Sequence, residues 1–196
     1  MGMVSVERTD WTVSQVQAIP YDGNRYEIID GVLYVTPSPM LPHQIVLSRL
    51  HFRLMGYADA LGFDVLESPA DFVFSDNTLV QPDLFVFPRV DGLTVAHYDD
   101  IEQLTLAVEV LSRSTARRDR TVKRRLYQTQ RIPEYWILDI AARSVERWRP
   151  DSLTGEVFKG SLEWQPDAQS APLVVDLEKV FGHFRGKQER AKLPRR

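Results

Sequence analysis

The sequence predicts a mixed α/β fold in which helices flank a central β-sheet. Three observations support this class. Asp30-Gly31 separates two short apolar segments, as the turn of a β-hairpin does. Residues 104–111 are almost continuously apolar, which is typical of a central strand covered on both faces. A segment of helical character at 115–130 then separates that strand from another apolar strand at 134–140.

The first third of the chain predicts a short helix, a hairpin and a long helix. Residues 12–18 form the short helix, which ends before Pro20. The hairpin pairs residues 26–29 with 32–35. Pro42 suits the start of the long helix and Gly62 follows its end. Its apolar stripe consists of Ile45, Leu47, Leu50, Leu54, Ala58 and Leu61.

The rest of the chain predicts strands with one intervening helix. Ser112, Ser114 and Thr115 are N-cap candidates for that helix. A proline inside a strand indicates an edge, a bulge or a strand start, so Pro82 marks one of these. The expected strands are residues 63–67, 72–74, 80–87, 104–111, 134–140 and 144–149, with a further strand near Val157, a short helix at 176–181 and a frayed end after Gly186.

Length and composition indicate one globular domain, with a core at about residues 20–150 and a C-terminal extension at 151–196. The absence of cysteine excludes disulfides, cysteine-based zinc sites and thiol nucleophiles, and it favours a reducing cytoplasm. Residues 1–10 lack the apolar segment of a signal peptide. No apolar run approaches the ~18 residues of a bilayer span, so no membrane partner is expected.

The net charge of −3 is distributed unevenly. Residues 113–131 carry eight cations and one anion, a charge of +7, which leaves −3 − 7 = −10 for the remainder. This segment either contacts phosphates or forms a solvated helix face. The overall acidity argues against strong non-specific binding to DNA.

Two carboxylates occupy strand-like segments where charge is costly unless it is paired. Asp83 follows Pro82, and Glu109 interrupts the apolar run at 104–111. On adjacent strands, which lie ~4.8 Å apart, they could share one Mg²⁺ ion, or alternatively Mn²⁺. Taken singly, Asp83 also fits a turn aspartate, and Glu109 also fits an ion pair at a sheet edge.

Lys123 is the candidate third member of this site. Helical steps of four bring Asp119, Lys123 and Tyr127 to one flank, while Val122 and Leu126 face the sheet. We expect Lys123 at the border between core and solvent, leaning toward Glu109, where it could orient water or stabilise charge on phosphorus. The alternative is an intrahelical pair between Lys123 and Asp119.

Further residues extend the candidate site. Glu27 is either a third carboxylate of the site or a solvent-facing strand residue. His43 is either an outer residue of the site or a surface histidine. Asp119 and Tyr127 are additional candidates because they share the flank of Lys123. The next stripe along the helix consists of Arg117, Arg120 and Arg124, with Arg131 beyond them. Our hypothesis is that these arginines contact DNA phosphates.

Other hydrolytic sites lack their motifs. The sequence contains no Gly-x-Ser-x-Gly elbow, no glycine-rich phosphate loop and no His-Glu-x-x-His pair. Paired carboxylates would also suit a glycosidase, but the neighbouring basic helix and the short chain favour a nuclease.

An ordered set of motifs resembles a family of mostly uncharacterised bacterial endonucleases in the restriction-endonuclease-like, or PD-(D/E)XK, superfamily. The resemblance covers about residues 10–150. It includes the Glu27–Gly31 segment and His43, and its later motifs are Pro82-Asp83, Glu109-Val110-Leu111-Ser112, Ser114-Thr115, Asp119, Lys123, Tyr127 and Glu134-Tyr135-Trp136.

The resemblance implies a restriction-endonuclease-like core, with Asp83 and Glu109 as metal ligands and Lys123 as the catalytic lysine. The usual superfamily lysine comes two residues after the second acid, where this chain has Leu111. The family resembled shares that departure, and the helix lysine is thought to substitute. Arg113 replaces a common proline, and Ile132-Pro133 stands where Gly-Val is usual.

These observations predict a magnesium-dependent DNA endonuclease in the cytoplasm, acting as a homodimer or a higher homo-oligomer. A two-fold axis would supply two sites for two strands. A nuclease-fold protein that binds nucleic acid or a protein without catalysis is the alternative. A third interpretation is action on RNA or on another phosphodiester.

Overall fold

A six-stranded mixed sheet forms the centre of the fold in this computed structural model, which describes residues 9–184. Its strand order is β10-β9-β8-β7-β6-β3. In chain order these strands are β3 (Phe63–Glu67), β6 (Leu84–Pro88), β7 (Leu106–Val110), β8 (Glu134–Asp139), β9 (Ser144–Trp148) and β10 (Glu156–Phe158). β7 and β8 are parallel, and the other neighbours are antiparallel.

A smaller antiparallel sheet lies N-terminal in the chain, with strand order β2-β1-β5-β4. The short helix α1 (Val13–Gln17) precedes it, and Thr12 caps that helix. The strands are β1 (Arg25–Ile29), β2 (Val32–Thr36), β4 (Phe72–Ser75) and β5 (Thr78–Val80). The predicted hairpin is confirmed, because β1 pairs with β2 across Asp30-Gly31 and both turn residues have positive φ.

Helices cover the two faces of the central sheet. The long helix α2 (Leu41–Ala60) buries Val46, Leu47, Leu50, Leu54 and Ala58 against one face. The opposite face receives the basic helix, which we define as residues 116–129. It consists of α3 (Ala116–Arg118), a π-helical segment (Asp119–Lys123) and α4 (Arg124–Thr129). Because both faces are covered, every residue of β7 is buried, which explains its almost continuously apolar sequence.

The C-terminal part of the described chain adds a two-stranded sheet of β11 (Ser161–Trp164) and β12 (Leu173–Asp176), followed by α5 (Leu177–Phe181). Trp164 and Phe181 join the same apolar cluster as the inner side of α2. The division into a core and a C-terminal extension stays a prediction. Within residues 9–184, no helix is both long and apolar enough to cross a membrane.

Strand register determines where the candidate site forms. Leu84 on β6 lies opposite Val108 on β7 in antiparallel register. Continued by one residue, this register places Asp83, in the bend just before β6, opposite Glu109. Residues that face each other across antiparallel strands project to the same face of the sheet. For Glu109 this is the face covered by the basic helix.

Some predicted elements differ from the structure. The single strand expected at 80–87 is in fact two strands, β5 and β6, which belong to different sheets. The segment Gln81-Pro82-Asp83 separates them, because Pro82 has no backbone N–H to donate to a neighbouring strand. β11 and β12 were not predicted. On α2, Val46 is buried and Ile45 only partly so. The fraying expected after Gly186 lies outside the described residues.

The hairpin glycine gives a stability prediction. A Cβ at Gly31 would lie 2.2 Å from the carbonyl oxygen of Thr9, whereas a Cβ at Gly62 would have open space. Both glycines have positive φ. We expect Gly31→Ala to lower the free energy of unfolding by roughly 1–3 kcal/mol more than Gly62→Ala, the matched control, because backbone must move. Urea titrations measure the difference, and equal losses would contradict the prediction.

Candidate active site

Asp83 is buried and holds three hydrogen bonds at the junction of the two sheets. Its Oδ1 accepts from Nη1 of Arg25 at 2.7 Å. Its Oδ2 lies 3.0 Å from Nε2 of His43 and accepts the backbone N–H of Val110 at 2.8 Å. Burial acts to raise the pKa of Asp83, but the His43 hydrogen bond and the charge of Arg25 outweigh it and hold the pKa well below its usual range.

Glu109 and Lys123 meet inside the protein between β7 and the basic helix. The Nζ of Lys123 lies 2.6 Å from Oε1 of Glu109, and the Tyr127 hydroxyl donates to the same oxygen at 3.3 Å. The Lys123 side chain is fully buried. A second carboxylate, Glu27 on β1, lies 2.6 Å from the same Nζ. Lys123 thus joins the small sheet, the central sheet and the helix.

Glu27 is surrounded by two cationic side chains and one backbone N–H group. Besides Lys123, its Oε1 accepts the backbone N–H of Gln81 at 2.8 Å. Its Oε2 lies 3.2 Å from Nη2 of Arg118. Arg118 also places its Nε 3.5 Å from Oδ1 of Asp119 and stacks its guanidinium over the ring of Tyr34. Acidic and basic side chains therefore alternate across the site, from Glu27 on β1 to Asp119 on the basic helix.

The π-helical segment helps direct this set of side chains inward. The backbone N–H of Arg124 reaches the carbonyl of Asp119, five residues back, so the turn is wider than an α-helical one. Asp119, Lys123 and Tyr127 all become buried on the flank that faces the sheet. Val122 and Leu126 are only partly buried beside them. Single-turn π segments are frequent at functional sites.

The protonation states of the cluster follow from burial and neighbouring charge. Burial acts to lower the pKa of Lys123, but Glu109 and Glu27 raise it above its ordinary value, so the amine stays protonated. Burial acts to raise the pKa of Glu27, but Lys123 and Arg118 lower it below the ordinary value. Glu109 differs, because burial and the nearby carboxylates raise its pKa well above the ordinary value despite Lys123. Burial likewise raises the pKa of Asp119.

Comparison with protein families identifies the chain. The family model Uma2, described as "Putative restriction endonuclease", matches residues 13–178. The chain belongs to the Uma2 family. No curated protein matches it. Among solved structures it is similar to one described as a "putative nuclease belonging to DUF820" from Anabaena variabilis, at 19% identity and a TM-score of 0.67, covering 87% of this chain and 97% of that one.

The Uma2 match and the structural similarity confirm the suspected family and the restriction-endonuclease-like fold. They support a nuclease in general terms. The roles of individual residues in this Uma2 protein stay predictions, since neither comparison assigns them.

The structure brings the predicted residues together. Asp83, Glu109 and Lys123 converge, and Glu27, His43, Asp119 and Tyr127 surround them. Several alternatives are wrong. Glu27 is fully buried rather than solvent-facing, and His43 binds Asp83 rather than lying free on the surface. β7 is a central strand, so Glu109 is at no sheet edge.

The expected position of Lys123 at the border of the core is also wrong, because its side chain is fully buried. The wider turn and three neighbouring carboxylates explain the difference, since they supply partners for a charge that would otherwise need water. The intrahelical pair with Asp119 is not the main contact, because Nζ lies 2.6 Å from both Glu27 and Glu109.

The arginines proposed for phosphate contact have different surroundings. Arg120 is paired with Asp139 and Glu146, at 2.9 and 2.6 Å. Arg124 lies over the Trp148 ring and donates to Gln128. Arg131 pairs with Asp151. Arg117 is exposed, and its side chain makes no hydrogen bond or ion pair with any residue in the 9–184 range.

Sequence reasoning missed two members of the site, Arg25 and Arg118. Arg25 begins a strand after a loop, and no motif marks it. Arg118 was counted within the basic segment without a separate role, although it precedes Asp119, which turns inward. A buried acid on β1 needs a cation, so Glu27 was the signal that could have prompted a search for both.

The donor set fits a divalent cation at Asp83 and Glu109. Within the described part of the chain, no hydrogen bond reaches Oε2 of Glu109, and one basic side chain alone occupies Oδ1 of Asp83. No cluster of three or more His, Cys, Asp or Glu side chains is arranged for a metal among residues 9–184. A site with two carboxylates is consistent with Mg²⁺, which keeps several waters and uses substrate phosphates as ligands.

The opposite pKa shifts of two carboxylates give the second prediction. We expect Glu27→Gln to cost about 3 kcal/mol at pH 7, because it breaks a buried ion pair, and Glu109→Gln to cost less, because the raised pKa of Glu109 leaves its carboxyl less charge to lose. Since the folded pKa of Glu27 is lowered, its stabilisation is present at neutral pH and is lost as pH falls below about 4, so the Glu27→Gln difference should shrink there.

Urea unfolding of both variants at neutral pH and at about pH 3.5 measures these differences. Asp151→Asn, at an exposed ion pair, is the control that shows the effect of losing a surface carboxylate. If Glu109→Gln lost more unfolding free energy at neutral pH than Glu27→Gln, the conclusion that Glu27 is the more strongly ionised carboxylate would be wrong.

Proposed function

We propose that this chain is a metal-dependent endonuclease that hydrolyses DNA phosphodiester bonds, with Asp83 and Glu109 holding Mg²⁺ and Lys123 assisting. One observation carries the proposal. Glu109 on β7 binds a protonated lysine, and Asp83, the residue before β6, accepts the N–H of the next β7 residue, Val110, in a protein of the Uma2 family. The family supports a nuclease, and the cation, the DNA substrate and the residue roles belong to the proposal.

The chemistry divides between the cation and the side chains. A divalent cation supplies Lewis-acid polarisation of the phosphoryl oxygen and lowers the pKa of a bound water. Asp83 and Glu109 would hold it. Lys123 stays protonated between Glu27 and Glu109, so it can donate a hydrogen bond to the attacking water or to a phosphoryl oxygen.

Glu27 and Tyr127 position the lysine and the carboxylate. Glu27 binds Nζ at the same 2.6 Å distance as Glu109 does. Tyr127 donates to Glu109 Oε1, and burial raises the pKa of its hydroxyl well above the ordinary value, which keeps it a donor. His43 and the backbone N–H of Val110 fix Oδ2 of Asp83, leaving Oδ1 as the oxygen that can change partners.

The proposal includes assembly and location. A homodimer, or a higher homo-oligomer, would present two sites to two antiparallel strands. The absence of cysteine is consistent with a reducing cytoplasm.

A protein that kept the fold and binds nucleic acid or a protein without cutting is the second candidate. This candidate is favoured because Asp83 and Glu109 both already have partners within the protein. Asp83 already binds a guanidinium and an imidazole, and Glu109 binds an ammonium and a phenol. Cleavage assays separate the two candidates.

The direct test is nicking of supercoiled plasmid DNA with Mg²⁺, with Mn²⁺ and with excess EDTA. We expect cutting by the wild type that needs metal and a loss of at least about 100-fold in Glu109→Gln, since that variant removes a carboxylate that would hold the cation. Asp151→Asn is the control and should cut normally. Absence of cutting by folded wild type with either metal would favour the binding protein, and RNA substrates test the third interpretation.

The phosphate-contact hypothesis gives a separate prediction. We expect Arg117→Glu to weaken binding to duplex DNA and to lower the salt slope by about 1 or more, without loss of stability, because Arg117 is exposed and unpaired within the described chain. Arg120→Glu should destabilise the fold, since a third carboxylate would face Asp139 and Glu146. The exposed Lys159→Glu is the charge-matched control.

Fluorescence anisotropy at several salt concentrations measures binding, and urea titration measures stability. Equal binding by Arg117→Glu and Lys159→Glu would remove the basic helix from the proposed DNA interface.

A further inference from the structure

Arg25 holds the Asp83 oxygen that a divalent cation would need. The two oxygens of Asp83 are not equivalent. Oδ2 is fixed by the N–H of Val110, which belongs to β7, and by His43 from α2. Oδ1 accepts only Arg25 among the described residues. A cation at Asp83 must therefore compete with the guanidinium, because two positive groups on one oxygen repel each other.

Arg25 is also the most accessible permanent cation of the cluster. Its side chain is 19% exposed, compared with 9% for Arg118 and 0% for Lys123. Its two hydrogen bonds, to Asp83 and to the carbonyl of Gln81, both use Nη1. No other hydrogen bond in residues 9–184 reaches its Nε or Nη2, and neither atom is buried without a partner. These donors remain available to a group that arrives from solvent.

We propose that Arg25 is a substrate-contacting residue that occupies Oδ1 of Asp83 in the metal-free protein and binds a phosphate of the nucleic acid when a divalent cation takes that oxygen. A planar guanidinium binds two phosphate oxygens at once, which an ammonium cannot do. This inference rests on the proposed function. It explains why a candidate metal ligand has a strong internal partner, and it assigns that partner a use during the reaction.

In this proposal Arg25 first pairs with the carboxylate of Asp83 and then with a phosphate. Without the cation, Arg25 neutralises buried Asp83, which would otherwise be costly. With the cation, Asp83 is neutralised by the metal, and the positive charge of Arg25 becomes available for the phosphate. A purely structural arginine would stay on Asp83 in both states and would leave DNA binding unchanged.

Arg25→Met tests the proposal because it should raise the affinity for a divalent cation and lower the affinity for DNA. We expect Mn²⁺ affinity, measured by calorimetry without DNA, to rise about tenfold, since the competing cation is gone. We expect affinity for a short duplex, measured by anisotropy with non-cleaving Ca²⁺, to fall about tenfold. Arg89→Met, at an ion pair with Asp59 and Asp64 and with a side chain 23% exposed, is the matched control and should change neither quantity.

Unchanged or weaker Mn²⁺ binding by Arg25→Met would overturn the proposal, and so would wild-type DNA affinity. If Arg25→Met does not fold, Arg25→Lys gives the decision. Its ammonium still competes for Asp83, so Mn²⁺ affinity should stay within about twofold while DNA affinity falls, because the bidentate contact is lost. Wild-type DNA affinity in Arg25→Lys would overturn the proposal.

The outcomes also separate this inference from the proposed function. A wild type that binds no Mn²⁺ and cuts no DNA contradicts the endonuclease itself. A wild type that binds Mn²⁺ and cuts DNA, combined with unchanged Mn²⁺ affinity in Arg25→Met, contradicts only the role of Arg25.

Discussion

The ammonium group of Lys123, shared between Glu27 and Glu109, is the contact on which the arrangement depends. It lies 2.6 Å from a carboxylate on each of two different sheets, and its own helix covers one face of the larger sheet. Burying a charge is expensive unless it is paired and hydrogen-bonded. The same contact that joins three parts of the fold therefore also places a protonated amine beside the candidate metal ligands.

Leu111 occupies the position where the superfamily resemblance leads one to expect a lysine. Position 111 lies two residues after Glu109 on the same side of the strand, where the superfamily pattern has its lysine. Here Leu111 packs against the apolar cluster that contains Tyr127 and Tyr135. Lys123 extends from the covering helix to Glu109 instead. An ammonium group thus lies beside Glu109, while position 111 contributes to packing.

Local pattern was enough to predict much of the fold and part of the site. The hairpin turn, the apolar run of β7 and the helix spacing of Asp119, Lys123 and Tyr127 are all short-range signals. The pairing of Glu27 with Lys123 and of Arg25 with Asp83 joins distant parts of the chain and depends on how two sheets meet. The burial of Lys123 could not be predicted from its helix alone, because the compensating carboxylates lie on distant strands.

The role of Lys123 can be measured most directly in a charge-balanced background. Lys123→Met combined with Glu27→Gln removes one cation and one anion, so the buried net charge is unchanged, and Glu27→Gln alone is its control. The account predicts that the double variant folds and binds Mn²⁺ yet loses metal-dependent nicking, while the control retains measurable nicking. Equal nicking by the two variants would contradict a catalytic role for Lys123.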